Sequence, residues 1–290
     1  MTDQVPSEQT RTEKFVSYEH LHGPAVGAVV GDGIVDLSDA GKSLRAILQS
    51  GPLDNLRAVI DRRRPEVRLV DVVLHPVIPD APRILCVGKN YSDHAAEMGG
   101  SAPVDPNLFV RTTKSLVGHN QSIVCPSASV QYDFEGELAV IIGKGGRRIA
   151  KDRALSHVAG YTCFMDGSVR DYQKHSFTAG KNFDSSGSFG PWLVPAGQVP
   201  DPQALRLVTR VNGRVMQDDT TGSMIHSVAA LIAYISVFTH LEPGDVIATG
   251  TPAGVGAGRK PPVWLKAGDV IEVEIERIGT LRNTVIAENL

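Results

Sequence analysis

Cysteine is scarce in this chain of 290 residues, which carries only Cys86, Cys125 and Cys163. They are far apart, odd in number and form no CxxC pair. That excludes a disulfide framework or a cysteine zinc site and fits a reducing cytoplasm. Long apolar runs are also missing. None approaches the roughly 20 residues that a membrane-spanning helix needs. A charge excess is missing too: the formal net charge is -3. Nothing global therefore favours nucleic acid or a membrane surface as partner. The one basic run, Arg62-Arg63-Arg64, stops at Pro65 and reads as a solvated helix end. The polar start, Met1 to Arg11, has no apolar signal core and reads as a loose tail over residues 1–13. No repeat of solenoid period and no low-complexity tract occurs. Nucleotide loops are absent by spacing. Gly143-Lys144-Gly145-Gly146 lacks the Walker pattern, and the glycine run from Thr249 to Gly258 leads into Arg259-Lys260-Pro261-Pro262, which cannot open a helix.

What is present is an apolar content of 42%, enough for a sizeable core, arranged mainly as short strands. Residues 14–75 read as a small N-terminal α+β domain. Phe15 to Tyr18 is a strand, Ala25 to Val30 and Gly33 to Leu37 make a hairpin, and Ser43 to Gln49 and Leu53 to Arg63 have helical spacing. Pro76, Pro79 and Pro82 then block a continuous helix or central strand and mark a linker, His75 to Pro82. Residues 82–290 read as a second, β-rich domain. Its strands include Ile84 to Val87, Leu138 to Ile142, Val158 to Phe164, Val246 to Thr249 and Val270 to Ile275. A hairpin turns at Asn212-Gly213. One clear amphipathic helix, Ser227 to Thr239, has Ser227 as N-cap and Leu231, Ile235 and Phe238 on one face. The fold class is α+β, predominantly β.

The chemistry concentrates in four stretches. In a strand, Glu135 and Glu137 point the same way, just before an apolar run that must be buried. A lone Glu-x-Glu is ordinarily a solvated face, but two carboxylates at a core edge need a positive charge between them. A divalent cation with oxygen ligands is the economical choice. A third acid, Asp166, follows the strand Val158 to Phe164. Upstream, His94 and Glu97 sit three apart on a short helical turn, and a carboxylate beside an imidazole orients it as a base. Arg170, Gln173 and Lys181 offer donors suited to carboxylate and enolate oxygens. The glycines from Gly250 to Gly258 permit close backbone approach to a ligand.

Taken together, Val87-Gly88-Lys89-Asn90-Tyr91, Glu135-Gly136-Glu137-Leu138, Asp166-Gly167-Ser168-Val169-Arg170-Asp171-Tyr172-Gln173, Gly180-Lys181-Asn182-Phe183 and Thr249 to Gly256 resemble the fumarylacetoacetate hydrolase superfamily. They occur in order over about Arg83 to Asn289. The N-terminal module is similar to the extra domain of the longer bacterial members, and Phe189-Gly190-Pro191-Trp192 resembles their hydrolases and isomerases. The resemblance implies a mixed β-sandwich/β-roll catalytic fold, commonly a homodimer, working in the cytoplasm and often in aromatic catabolism. It implies Mg²⁺ or Mn²⁺, with Ca²⁺ as a stand-in in a crystal, held by Glu135, Glu137 and Asp166. It implies His94, Glu97 and Lys181 as catalytic residues, and Arg111, Arg170, Gln173 and Thr251 as contacts to a small 2-oxo acid. The implied reaction is hydrolysis of a C–C bond in an acylpyruvate through a pyruvate enolate. Oxaloacetate decarboxylase, or 2-hydroxyhepta-2,4-diene-1,7-dioate isomerase/decarboxylase chemistry, is the alternative.

Overall fold

The centre of the molecule is the strand Gly136–Ile142, all seven residues of which are buried. A run as apolar as Leu-Ala-Val-Ile-Ile settles where both sheet faces are covered. The computed structural model describes residues 13–21 and 23–289, so the expected tail over 1–13 lies outside the described residues apart from Glu13. Val158–Met165 pairs antiparallel along one edge of the central strand, and Val246–Ala248 along the other. Ile84–Gly88 runs parallel to Val246–Ala248, and Asn107–Arg111 closes that flank. Beyond Val158–Met165 lies Gly187–Pro195, and the whole forms a 12-stranded mixed sheet.

Alternation along the central strand feeds two cores. Leu138, Val140 and Ile142 join Leu207, Val273 and Ile275 of a second, five-stranded sheet. Ala139 and Ile141 face the other way, into a cluster with Leu44, Ile47 and Leu48 of the N-terminal helix Leu44–Ser50. Glu137 shares the phase of Ala139 and Ile141. The N-terminal strands Phe15–His20, Gly23–Val30 and Gly33–Asp36 extend the large sheet, joined to it by Phe15 against Leu193. The Pro-rich crossing forms no helix or strand, yet Val77 and Ile78 are buried, and the Ser17 hydroxyl donates to the Val77 carbonyl at 2.9 Å.

The Asn212-Gly213 hairpin is present, with φ of 52° and 76° at the two turn residues, as a two-residue turn of mirror type requires. The helix Val228–Phe238 is capped by the Ser227 hydroxyl, which accepts from the Ala230 amide. One expectation for it fails. Leu231 and Ile235 are buried, but Phe238 is 54% exposed and lies edge-on to Tyr234. The buried face is completed by Val228 and Ile232 instead, and Phe238 is the last residue of the helix.

At Gly167, immediately after Asp166, a Cβ would meet the Ser186 carbonyl oxygen at 1.7 Å. Since that obstacle is backbone, Gly167→Ala should lower stability by about 1–3 kcal/mol in urea unfolding, the cost of overpacking. An unchanged midpoint would show that this turn shifts freely.

Candidate active site

Strand register brings the acids together. Gly136 pairs with Met165 and Glu137 with Phe164, so the residues just beyond, Glu135 and Asp166, also meet: the Asp166 amide donates to the Glu135 carbonyl at 2.9 Å. Glu135, Glu137 and Asp166 each offer a carboxylate oxygen, and these atoms lie within 4.8 Å of one another. All three are buried. Gly136 between them is tightly enclosed, since a Cβ there would come within 2.1 Å of the Thr209 hydroxyl on the facing sheet.

Buried cations surround this group. The Lys181 ammonium, at the end of the helix Phe177–Lys181, donates to Glu135 Oε2 and Asp166 Oδ2, both at 2.5 Å, and lies 3.3 Å from the Asp166 carbonyl. Its three N–H groups thus all face these two acids. Arg170 pairs with Asp133 and, at 2.7 Å, with Glu135 Oε1. Arg111 donates to Asp166 Oδ1 at 2.6 Å and places its remaining N–H groups on Gly167, Ser115 and Ser186. Four buried carboxylates, counting Asp133, therefore face three buried cations. Buried charges persist only when paired in this way.

The uneven count falls on Glu137. Its hydrogen-bond partner is the Gly250 amide, which donates to Oε2 at 2.8 Å. Burial, with the Asp166 and Glu135 charges beside it, pushes the Glu137 carboxyl well above the usual carboxylate range. Burial also disfavours the charged form of Glu135, but Lys181 and Arg170 outweigh it and hold that carboxyl below the usual range. An all-oxygen set of three clustered carboxylates, one without a cation of its own, fits a hard divalent ion.

The glycine-rich run approaches closely, as its composition suggests, but its amides go to the protein's own acids. Besides Gly250 on Glu137, the Gly254 amide donates to both oxygens of Glu97 at 3.1 Å. The Gly256 and Ala257 amides donate to Asp133 at 2.7 and 3.0 Å. The Thr251 hydroxyl donates to the Gly136 carbonyl at 2.8 Å, and its oxygen accepts from Gln217 at 2.7 Å. Gly250 sits at φ 96°, a region that side chains rarely adopt, and it is pressed against Asn90.

A cavity of about 380 Å³ opens onto the cage. His94, Arg170, Gln173, Lys181 and Thr251 are in its wall with Glu135 and Glu137. His94 Nδ1 lies 3.5 Å from Glu97 Oε2 on the helix Ser92–Glu97, the outer limit of a hydrogen bond. Burial works against the Glu97 carboxylate, but His94 and the Gly254 amide hold it below its usual range. Gln173 accepts from Arg170 at 3.0 Å, and its amide nitrogen is buried without a partner. Arg111 does not join the cavity wall. It lies behind Asp166 and props that carboxylate. Asp166 itself is absent from the wall but completes the cage.

Several residues escaped the sequence reading. Asp133 ties Arg170 to the glycine run, and the spacing Asp133, Glu135, Glu137 was the available signal. Gln217 links Thr251, the Pro252 carbonyl and the Gly136 amide. Lys89 and Lys174 line the cavity and make no ion pair among the described residues. Lys89 does so at φ 58°.

Residues 83–286 match the family model described as "Fumarylacetoacetate (FAA) hydrolase C-terminal". The chain belongs to the fumarylacetoacetate hydrolase family. It is similar to the bovine oxaloacetate tautomerase FAHD2A, mitochondrial, at 37% identity over 97% of this chain and 94% of that protein. It also resembles the oxaloacetate tautomerase YisK of Bacillus subtilis, at 44% identity over 75% of this chain and 74% of that protein. Among solved structures, the maleylpyruvate hydrolase of Sphingobium sp. SYK-6, crystallised with manganese(II) and pyruvate, superposes with a TM-score of 0.79. It is 28% identical and covers 95% of this chain and 100% of its own. This fumarylacetoacetate hydrolase family member thus has the mostly β fold of its structural neighbours. No helix among the described residues is long and apolar enough to cross a membrane.

A cation held at the cage would require ionised Glu137. Because burial and the neighbouring acids raise that carboxyl, affinity for the ion should fall as pH is lowered, with protons released on binding. Titration of Mn²⁺ in buffers of different ionisation enthalpy should reveal that proton release. Glu137→Ala should abolish tight Mn²⁺ and Mg²⁺ binding, and unchanged affinity would remove the site.

Proposed function

We propose that this family member enolises a 2-oxo dicarboxylic acid, interconverting the keto and enol forms of an oxaloacetate-type substrate. The observation that carries this reading is the charge layout of the cavity. An acid cage lies at its base, and two lysines without ion-pair partners, Lys89 and Lys174, are in its wall. A 2-oxo acid suits the cage, and a second carboxylate suits the lysines. The names of the bovine and Bacillus relatives support the same chemistry.

Glu135, Glu137 and Asp166 would hold Mg²⁺ or Mn²⁺. Bound there, the ion supplies Lewis acidity toward the carboxylate and 2-oxo oxygens of the substrate. Arg111 and Lys181 fix two of the three acids. Gln173, with its amide nitrogen unpartnered, donates to a substrate oxygen. With Nδ1–H turned toward Glu97, His94 keeps its other ring nitrogen free to take a proton from C3. That proton is returned to the 2-oxo oxygen, so the tautomerisation leaves no atom over. Val87, Met98, Phe109 and Trp264 in the wall limit water around the enol.

A second reading, C–C hydrolysis of an acylpyruvate, is favoured by the His94–Glu97 pair, which suits activation of a water. The manganese- and pyruvate-bound hydrolase supports it. The same enol-stabilising site serves oxaloacetate decarboxylation.

The deciding assay follows decay of the ultraviolet absorbance of enol-oxaloacetate with Mn²⁺, with and without chelator. Metal-dependent acceleration is expected, and its absence sinks the tautomerase reading. Lys89→Met should raise KM for oxaloacetate about tenfold, the loss of one charge-assisted contact, while sparing acetylpyruvate with its neutral tail. His94→Ala should impair acylpyruvate hydrolysis far more than oxaloacetate decarboxylation. Equal losses would argue against a water-activating role.

A further inference from the structure

The run Gly143-Lys144-Gly145-Gly146 follows directly on Ile142, at the opposite end of the central strand from Glu137. At about 3.3 Å per residue that is roughly 17 Å from the acid cage. Two cavities adjoin here. One, of about 210 Å³, is lined by Lys144, Arg147, Arg148, Arg153 and His157, and no carboxylate is in its wall. The other, of about 490 Å³, is largely apolar. Leu48, Leu53, Val158, Pro195 and Pro243 contribute to its wall, and Asp54 is its only acid. Lys144 and Ser156 belong to both walls, so the two cavities lie side by side there.

Among the described residues none of Lys144, Arg147, Arg148 and Arg153 has a carboxylate partner. Elsewhere in the molecule the exposed Arg57, Arg68 and Arg206 each pair with an acid. Unpaired like charges repel and would spread if the backbone allowed it. Here it is pinned. The Gly143 and Lys144 amides both donate to the His157 carbonyl, at 2.8 and 3.1 Å, and His157 Nδ1 donates back to the Lys144 carbonyl at 2.8 Å. Gly146 and Leu241 exchange two backbone hydrogen bonds at 2.9 Å. The Arg148 amide donates to the Ser236 carbonyl at 2.7 Å, and Arg148 is held at φ 51°, a costly conformation for a side-chain-bearing residue. The backbone that carries Lys144, Arg147 and Arg148 is therefore fixed, and Arg153 joins them from the adjacent 3-10 helix Lys151–His157, which lowers the cost of gathering these cations around a polyanion.

We propose that these adjacent cavities bind a nucleotide, with the polyphosphate among Lys144, Arg147, Arg148 and Arg153 and the base in the apolar compartment. Asp54 then serves as acceptor for an amino group on the base. A wide cationic basin takes the place of a Walker loop, which is why loop spacing gives no hint of it. The ligand would join the Leu48–Asp54 segment to the end of the central strand, well away from the cage.

Calorimetric titration of the full chain with ATP, pyrophosphate and adenosine in metal-free buffer tests this. ATP should bind more tightly than pyrophosphate, adenosine more weakly than either, and ATP affinity should fall with added salt. Lys144→Met and Arg153→Gln are exposed changes that should each weaken both ATP and pyrophosphate by about tenfold, the value of one charge-assisted contact. Gly197→Phe, where a Cβ has nothing within 4 Å, fills the apolar compartment and should weaken ATP while sparing pyrophosphate. Thermal unfolding confirms that each variant is folded. The proposal is overturned if wild-type protein binds none of the probes at millimolar concentration, or if ATP affinity is unchanged in the lysine and arginine variants. Equal binding of pyrophosphate and ATP, both indifferent to Gly197→Phe, would overturn it too by removing the base compartment.

Discussion

Everything about the site depends on four buried carboxylates being held beside three buried cations. Left alone, either set would cost several kcal/mol per ion to strip of water. Together they are tolerable, and the pairing is specific. Lys181 spans Glu135 and Asp166, Arg111 takes the other oxygen of Asp166, and Arg170 joins Glu135 to Asp133. Glu137 is left with an amide. The shortfall of one positive charge among these groups is what an added divalent cation would make good.

The architecture separates what holds the cage from what lines the open cavity. Arg111, Asp133, Gln217 and the glycine-run amides act on other protein groups. His94, Gln173, Lys89 and Lys174 line the open space. Arg111 shows how the two classes are confused in sequence. The family resemblance implies a substrate contact for it, whereas in the structure all its N–H groups are engaged within the protein. Lys181 is intermediate, since it lines the cavity while its hydrogens point at Glu135 and Asp166.

Much of this was legible in advance because it rests on local pattern. Period-two alternation placed Glu135 and Glu137 together, the apolar run after them placed the central strand, and Asn212-Gly213 placed a hairpin. Three-residue spacing placed His94 and Glu97 on one short helix. What escaped needs pairing information. No local rule says that Gly136 lies opposite Met165, which is what delivers Asp166 to Glu135. Nor does composition reveal that glycine amides will cap Glu97 and Asp133. Phe238 was misplaced because helical spacing reports a face but not how far along the helix that face stays covered.

The central strand has a property that follows from serving two cores at once. Sliding its pairing by a single residue would turn Glu137 toward Leu207 and Val273 and send Leu138 among the acids, because successive side chains alternate. Neighbouring alignments are therefore heavily penalised on both faces simultaneously. The acids that line the cage thus also mark the correct alignment of the central strand against both of its neighbours.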